Sequence, residues 1–330
     1  MELSPFDHIT DFPQETVGDG CKSIFDPWRY GMIMDIALHF DGPVWRPPYE
    51  ATSQLLQVTA GCTWHKCKFC TLYGKQKFRM SPMEEIESDL QVIHRYQPRA
   101  HRLFLTGANP FVLTTSQLID IALLIRKYVG QGCPTIGCFA RITDITKKSV
   151  EELKQLHHLG FDHLTIGVES GDSETLARVN KGYQAEDILE QCHKLEAANI
   201  RYNLFYLVGL AGHGHGDRNA NRSAKVFNQL HPISIGLLSL TLFPESQLHQ
   251  EMTMGLYEEA SEHERLDEMI SLISQLTCQT HILARTVSNP IPFTGYLPTD
   301  RELILHDLRD ARERFSEEQL RNYRDSIESL

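Results

Sequence analysis

Three cysteines fall within nine residues, Cys62-Thr-Trp-His-Lys-Cys67-Lys-Phe-Cys70. Thiolates this close together hold soft metal centres. A fourth cysteine would complete a structural zinc site or a ferredoxin-type cluster. Three leave one metal position open, and chemistry takes place at an open position. His65 offers a second arrangement, a Cys3His zinc site of Cys62, His65, Cys67 and Cys70. Lys66, Lys68, Lys75, Lys77 and Arg79 surround the loop with positive charge, which suits an anionic small molecule at least as well as RNA.

A second segment with chemical potential is Gly209-Leu-Ala-Gly-His213-Gly-His215-Gly216. Histidines between glycines bind metals or shuttle protons. The same glycines suit a loop that wraps a ligand, and this reading makes His213 and His215 substrate contacts. Cys21, Cys133, Cys138, Cys192 and Cys278 form no second close cluster, and Cys192 fits a small apolar core residue on a helix face.

The elements that must carry these residues are repeated strand–helix units. Apolar, β-branched runs near 54–59, 102–106, 135–140, 163–168, 202–208 and 233–241 predict buried parallel strands. Their ends lie 28 to 47 residues apart, which fits β/α crossovers. The expected fold class is α/β: a partial (β/α)6 TIM-type barrel with an N-terminal extension and a C-terminal helical region. An open doubly wound sheet is the competing layout. Loops at the C-terminal strand ends are then the functional ones, and the cysteine loop is the first of these. Ser81-Pro82-Met83-Glu84 predicts a capped helix start with proline at the first helical position. The run Gly31–Phe40 predicts a short helix, and Gly160 caps the helix before it. Past Pro244 the pattern predicts helices over Glu258–Leu276 and Arg301–Leu330 with a loop, Ser288–Pro298, between them. The domain reading is 1–50 irregular extension, 51–246 core and 247–330 helical region.

Composition excludes several classes. Thirty-two basic against 43 acidic residues give a net charge of −11, which weighs against a nucleic-acid partner. No apolar run approaches the roughly 20 residues of a membrane span. The N-terminus lacks the pattern of a secretion signal, so the expectation is a cytoplasmic protein with reduced thiols and no membrane partner.

The cysteine loop after the first strand, Phe69 before its last cysteine and the β/α units behind it together resemble the radical S-adenosylmethionine (SAM) superfamily. The spacing is Cys-x4-Cys-x2-Cys rather than the common Cys-x3-Cys-x2-Cys, with Cys67-Lys-Phe69-Cys70 retained. The resemblance implies that Cys62, Cys67 and Cys70 ligate three irons of a [4Fe–4S] cluster. The fourth iron would take the amino and carboxylate groups of SAM, whose reductive cleavage gives a 5′-deoxyadenosyl radical.

Further cofactor contacts are implied residue by residue. Phe69 belongs to the cluster loop, and Gly107 and Ala108 to a glycine turn after the second strand. Arg141 follows the third strand. Glu169, in Ile166-Gly-Val-Glu-Ser-Gly171, would meet the ribose. Lys181, in Val179-Asn-Lys-Gly182, would meet the SAM carboxylate, as in the oxygen-independent coproporphyrinogen oxidase branch. Asn203 lies on the fifth strand. By residue type alone, Glu169 also suits a Lys or Arg partner, and Arg141 a salt bridge to Asp144. The implied partners are an electron donor such as flavodoxin or ferredoxin and a small-molecule substrate. A tRNA- or protein-modifying enzyme is the alternative, and a non-catalytic zinc or iron–sulfur scaffold is a further one.

Overall fold

The computed structural model describes residues 38–74, 76–130 and 134–328. Nearly all of the helix expected over Gly31–Phe40, together with Cys21 and Cys133, lies outside them. Strand β1 (Gln54–Gln57) runs into the short β2 (Thr59–Ala60). β2 pairs antiparallel with β3 (Arg79–Met80), so the two short strands close the ends of the cysteine loop. The repeating units follow as α1 (Met83–Tyr96), β4 (Arg102–Thr106), α2 (Thr115–Val129), β5 (Thr135–Ala140), α3 (Ile142–Ile145) and α4 (Val150–His158). Then come β6 (Phe161–Glu169), α5 (Ser173–Arg178), α6 (Ala185–Ala197), β7 (Arg201–Val208), α7 (Gly216–Phe227) and β8 (Ser234–Ser239). The chain ends with α8 (Gln247–Thr253), α9 (Glu262–Gln275), β9 (Thr280–Ala284), β10 (Phe293–Leu297), α10 (Arg301–Arg314) and α11 (Glu317–Asp325).

The six predicted strands are present and lie in the order β1-β4-β5-β6-β7-β8, all parallel. Alternate strand residues such as Leu103, Leu105, Ile136, Leu164, Ile166 and Leu204 are fully buried in the layer beneath the helices. The helices supply the matching stripe, for example Leu118, Ile121 and Ile125 of α2. Capping boxes set several starts: Thr114 with Gln117, Ser149 with Glu152, Ser261 with Glu264 and Ser316 with Gln319.

The C-terminal region departs from the mainly helical expectation by carrying two strands. β9 adds to β8 in parallel and β10 turns back antiparallel on β9, making an eight-stranded sheet. The stretch read as the loop Ser288–Pro298 therefore contains a strand, whose prolines stand at its margins. Ser81 also behaves differently from the prediction. Pro82 occupies the N-cap of α1 without a side-chain cap, because the Ser81 N–H is taken by Val58 O and its hydroxyl by His39.

At the N-terminal end of the strands a turn of 3-10 helix, Pro48–Glu50, supplies a polar plug. The Glu50 carboxylate is fully buried and accepts from Arg102 Nε (2.8 Å) and Nη2 (2.6 Å), from His163 Nε2 (3.2 Å) and from Ser53 Oγ. Arg102 also reaches Asp162 at 2.6 Å. Gly137 makes room for this network: a Cβ there would overlap Arg102 Nη2 and stand 3.0 Å from Glu50 Oε1.

Candidate active site

The cysteine loop leaves β2 through Gly61, whose φ of +71 and whose backbone contact with Gln76 and Lys77 admit no side chain. Cys62 and Cys67 are partly buried and Cys70 is exposed. All three line one cleft of about 560 Å³ together with Thr63, Tyr73, Gln76 and Phe78. The Trp64 backbone N–H donates to Cys62 Sγ at 3.4 Å. The surrounding protein pushes the Cys67 thiol above its ordinary value, while the charges of Lys181 and Arg141 pull it back toward thiolate.

The three soft donors, one open side and two facing cations fit an anionic iron–sulfur centre. Among the described residues no group of three or more His, Cys, Asp and Glu converges on a single metal ion. His65, the fourth member of the Cys3His arrangement, lines the same cleft as the three cysteines. A polynuclear cluster asks for something else, one sulfur for each of several irons.

The turn after β4 is fitted to this loop. The Ala108 N–H points to Gly61 O at 3.4 Å. Gly107 has φ +126, and a Cβ there would overlap Thr59 Oγ1 and stand 2.7 Å from Thr59 O. Gly107→Ala should therefore cost about 2–4 kcal/mol of stability through overpacking and a disfavoured backbone. The urea unfolding midpoint measures it, and a change below about 0.5 kcal/mol would contradict the tight approach.

Glu169 ends β6 with φ +64, at the point where the β6–β7 register shifts. His65 and Asn180 share this uncommon backbone region. Three strained non-glycine residues in one neighbourhood are typical of a functional site. Glu169 Oε1 pairs with Lys181 Nζ at 2.9 Å, and both side chains are largely buried. Burial works to lower the Lys181 pKa, but the Glu169 carboxylate together with Tyr183 and Cys67 outweighs it and holds the ammonium well above its usual value.

Arg141 donates through Nη2 to Lys181 O (2.6 Å) and through Nη1 to Thr143 Oγ1 (3.1 Å). Asp144 takes the Arg141 backbone N–H at 2.9 Å, rather than forming the salt bridge that residue types allow. The structure thus brings Cys67, Arg141, Glu169 and Lys181 together at adjacent strand ends. Phe69 packs in an apolar patch with Val179, Leu207 and Leu248, with Lys181 Nζ 5.8 Å from its ring centre.

Two predicted groups stand elsewhere. Asn203 is third in β7, in register with Thr165, and accepts from Ser234 Oγ at 2.7 Å. That position lies toward the N-terminal end of the strands, away from Glu169. His213 and His215 line a different cleft of about 360 Å³ with Arg178, Arg218 and Tyr257, sharing no residue with the cysteine cleft. His213 Nδ1 meets Glu264 at 2.9 Å, and that carboxylate's hydrogen bond raises its pKa.

Two residues escaped the sequence reading. Asn109 is fully buried and bonds Thr63 Oγ1 (2.8 Å) and Asp144 (3.0 Å), tying the cysteine loop to α3. Trp64 donates its indole N–H to Asn180 O at 2.7 Å. An aromatic ring inside a short metal-binding loop was the available signal, since such a ring must find a surface to cover.

The profile of the Radical SAM superfamily matches residues 56–221, half of the chain, and the chain belongs to that family. Family membership brings a [4Fe–4S] cluster and SAM as its cofactors. The chain is 22% identical over 195 residues to the heme chaperone HemW of Buchnera aphidicola, covering 56% of this chain and 50% of HemW. It is 28% identical over 163 residues to the threonylcarbamoyladenosine tRNA methylthiotransferase MtaB of Rickettsia prowazekii, covering 43% and 34%. The chain thus spans half or less of the curated relatives named here. Its fold is similar to that of the Escherichia coli coproporphyrinogen III oxidase HemN, a radical SAM enzyme, with TM-score 0.50, 16% identity and coverage of 68% and 52%. Among the described residues no helix is long and apolar enough to cross a membrane.

Proposed function

We propose that Cys62, Cys67 and Cys70 hold a [4Fe–4S] cluster, and that the neighbouring Arg141, Glu169 and Lys181 hold SAM for radical chemistry on a small-molecule substrate. The observation that carries this reading is the three thiols lining one cleft, with the charges of the Glu169–Lys181 pair acting on Cys67. When bound, the cluster and SAM supply one-electron reductive cleavage of a C–S bond and a 5′-deoxyadenosyl radical.

The chain's own residues bind and orient. Lys181 presents a fixed positive charge suited to a carboxylate, and Glu169 offers an acceptor suited to ribose hydroxyls. Tyr73 and Phe78 give the cleft apolar walls that limit water. Gly107 and Ala108 bring backbone close to the loop without side-chain bulk. A reductant is required, and Cys70 is the exposed member of the three.

The test is anaerobic reconstitution with iron and sulfide, followed by metal analysis and a SAM cleavage assay. About four irons per chain with release of 5′-deoxyadenosine and methionine is the expected result; stoichiometric zinc without sulfide would sink the reading. Glu169→Ala should weaken SAM binding about tenfold or more, as expected when a charged hydrogen-bonding group is lost. An unchanged dissociation constant would remove Glu169 from the site.

A second substrate class, tRNA, is favoured by the similarity to MtaB. The net charge of −11 opposes it. Salt-dependent tRNA retention on filters at micromolar protein would bring it forward.

A further inference from the structure

The four residues between Cys62 and Cys67 place the indole of Trp64 where it touches several segments of the site at once. Its Nε1 donates to Asn180 O at 2.7 Å. Its six-membered ring lies against Gly182, where a Cβ would overlap Cζ2 and stand 2.7 Å from Cη2. The Arg141 guanidinium carbon stands 4.8 Å from the ring centre, a stacking distance that favours cation–π attraction. Arg141 is 8% exposed, its Nη1 and Nη2 are committed to Thr143 and Lys181, and its Nε has no hydrogen-bond partner. A buried N–H without an acceptor is costly and uncommon, so it points to a ligand atom that completes it.

We infer that Trp64 is a positioning residue: its ring fixes the plane of the Arg141 guanidinium so that the Arg141 Nε–H donates to an acceptor atom of SAM. The inference rests on the cofactor reading above. A guanidinium on a flexible stem gains most from a flat surface that holds its donor fork in one orientation. The Trp64 ring is itself fixed at two points of the 179–182 turn, so the turn that carries Lys181 also sets Arg141. The four-residue gap supplies the loop length on which Trp64 makes these contacts.

The test compares reconstituted wild type, Trp64→Phe, Trp64→Leu, Arg141→Ala and the Trp64→Leu/Arg141→Ala double variant. SAM dissociation constants are read by equilibrium dialysis, with iron content and thermal midpoint measured on the same samples. Arg141→Ala and Trp64→Leu should each weaken SAM binding about tenfold with iron content unchanged. Trp64→Phe, which keeps a ring face, should lose only about threefold. The double variant should bind no more weakly than Arg141→Ala, because the two residues act as one unit.

Additive losses, or a Trp64→Leu constant within about twofold of wild type, overturn the positioning role. Loss of iron in Trp64→Leu assigns Trp64 to holding the cluster and also overturns it. A wild type that takes up no cluster or SAM overturns the cofactor reading, and this inference with it. Wild-type binding with additive variants overturns the inference alone.

Discussion

Replacing Cys67 with alanine should bring SAM cleavage to the level of a protein-free blank and leave the chain folded. Each of the three thiols has a separate iron to hold, so no neighbour can take over for a lost one. The charges of both Lys181 and Arg141 act on Cys67. Its loss also leaves two cations facing a site that has lost one negative ligand. The cost to the fold is small, about 1 kcal/mol, because one sulfur is removed from a partly buried loop and no core helix or strand is touched. Iron content, sulfide content and cleavage rate should fall together while the thermal midpoint of the metal-free protein moves by only a few degrees. Full cleavage by Cys67→Ala would remove the cysteine loop from the chemistry. Loss of secondary structure would instead make Cys67 a structural residue, so circular dichroism belongs in the same experiment.

Much of this was legible in the sequence because the signals were periodic or chemical. Six strands announced themselves as β-branched runs between helical stripes, and the cysteine spacing located the cleft. What escaped was set by contacts between distant segments. β10 lies in a stretch rich in proline and glycine that reads as loop, and only its pairing with β9 makes it a strand. Ser81 looked like a helix cap, but His39 claims its hydroxyl from 42 residues away. Asn203 sat on the predicted strand, yet register places it beside Thr165, toward the N-terminal end. Glu169 and Lys181 were each assigned to SAM; their contact with one another needed the β6–α5 path to bring them together. Glu50 carried no readable role in the chain, since its partners Arg102 and His163 lie 52 and 113 residues away.

Glu50→Gln should lower stability by about 3 kcal/mol at pH 7, a loss that should vanish in acid. Burial alone would raise the Glu50 pKa, but hydrogen bonds from His163, Arg102 and Ser53 outweigh it and hold the carboxyl at about 2. The unfolded chain titrates near 4.3. A carboxyl whose folded pKa is depressed contributes its stability above the unfolded value and loses it as pH falls through the folded value. The difference between wild type and Glu50→Gln should thus be complete above about pH 5 and shrink steadily toward about pH 2. Asp162, also held at about 2 by His163 and Arg102 against its own burial, steepens the acid loss in both proteins.

His163 contributes with the opposite sign. Burial lowers its pKa, but Asp162 and Glu50 raise it above the usual histidine value on balance. Its contribution is complete below the unfolded histidine pKa of about 6.5 and fades as pH rises through the raised folded value. Glu50→Gln removes the charge of one of its two carboxylate partners and should flatten that alkaline side. Urea midpoints of both proteins at pH 3, 5, 7 and 9 measure all of this. A wild-type-to-variant gap that is the same at pH 3 and pH 7 would mean that the Arg102–Glu50 contact holds the barrel floor by shape and not by charge. The site at the opposite end of the strands would then rest on a plug that acid leaves intact.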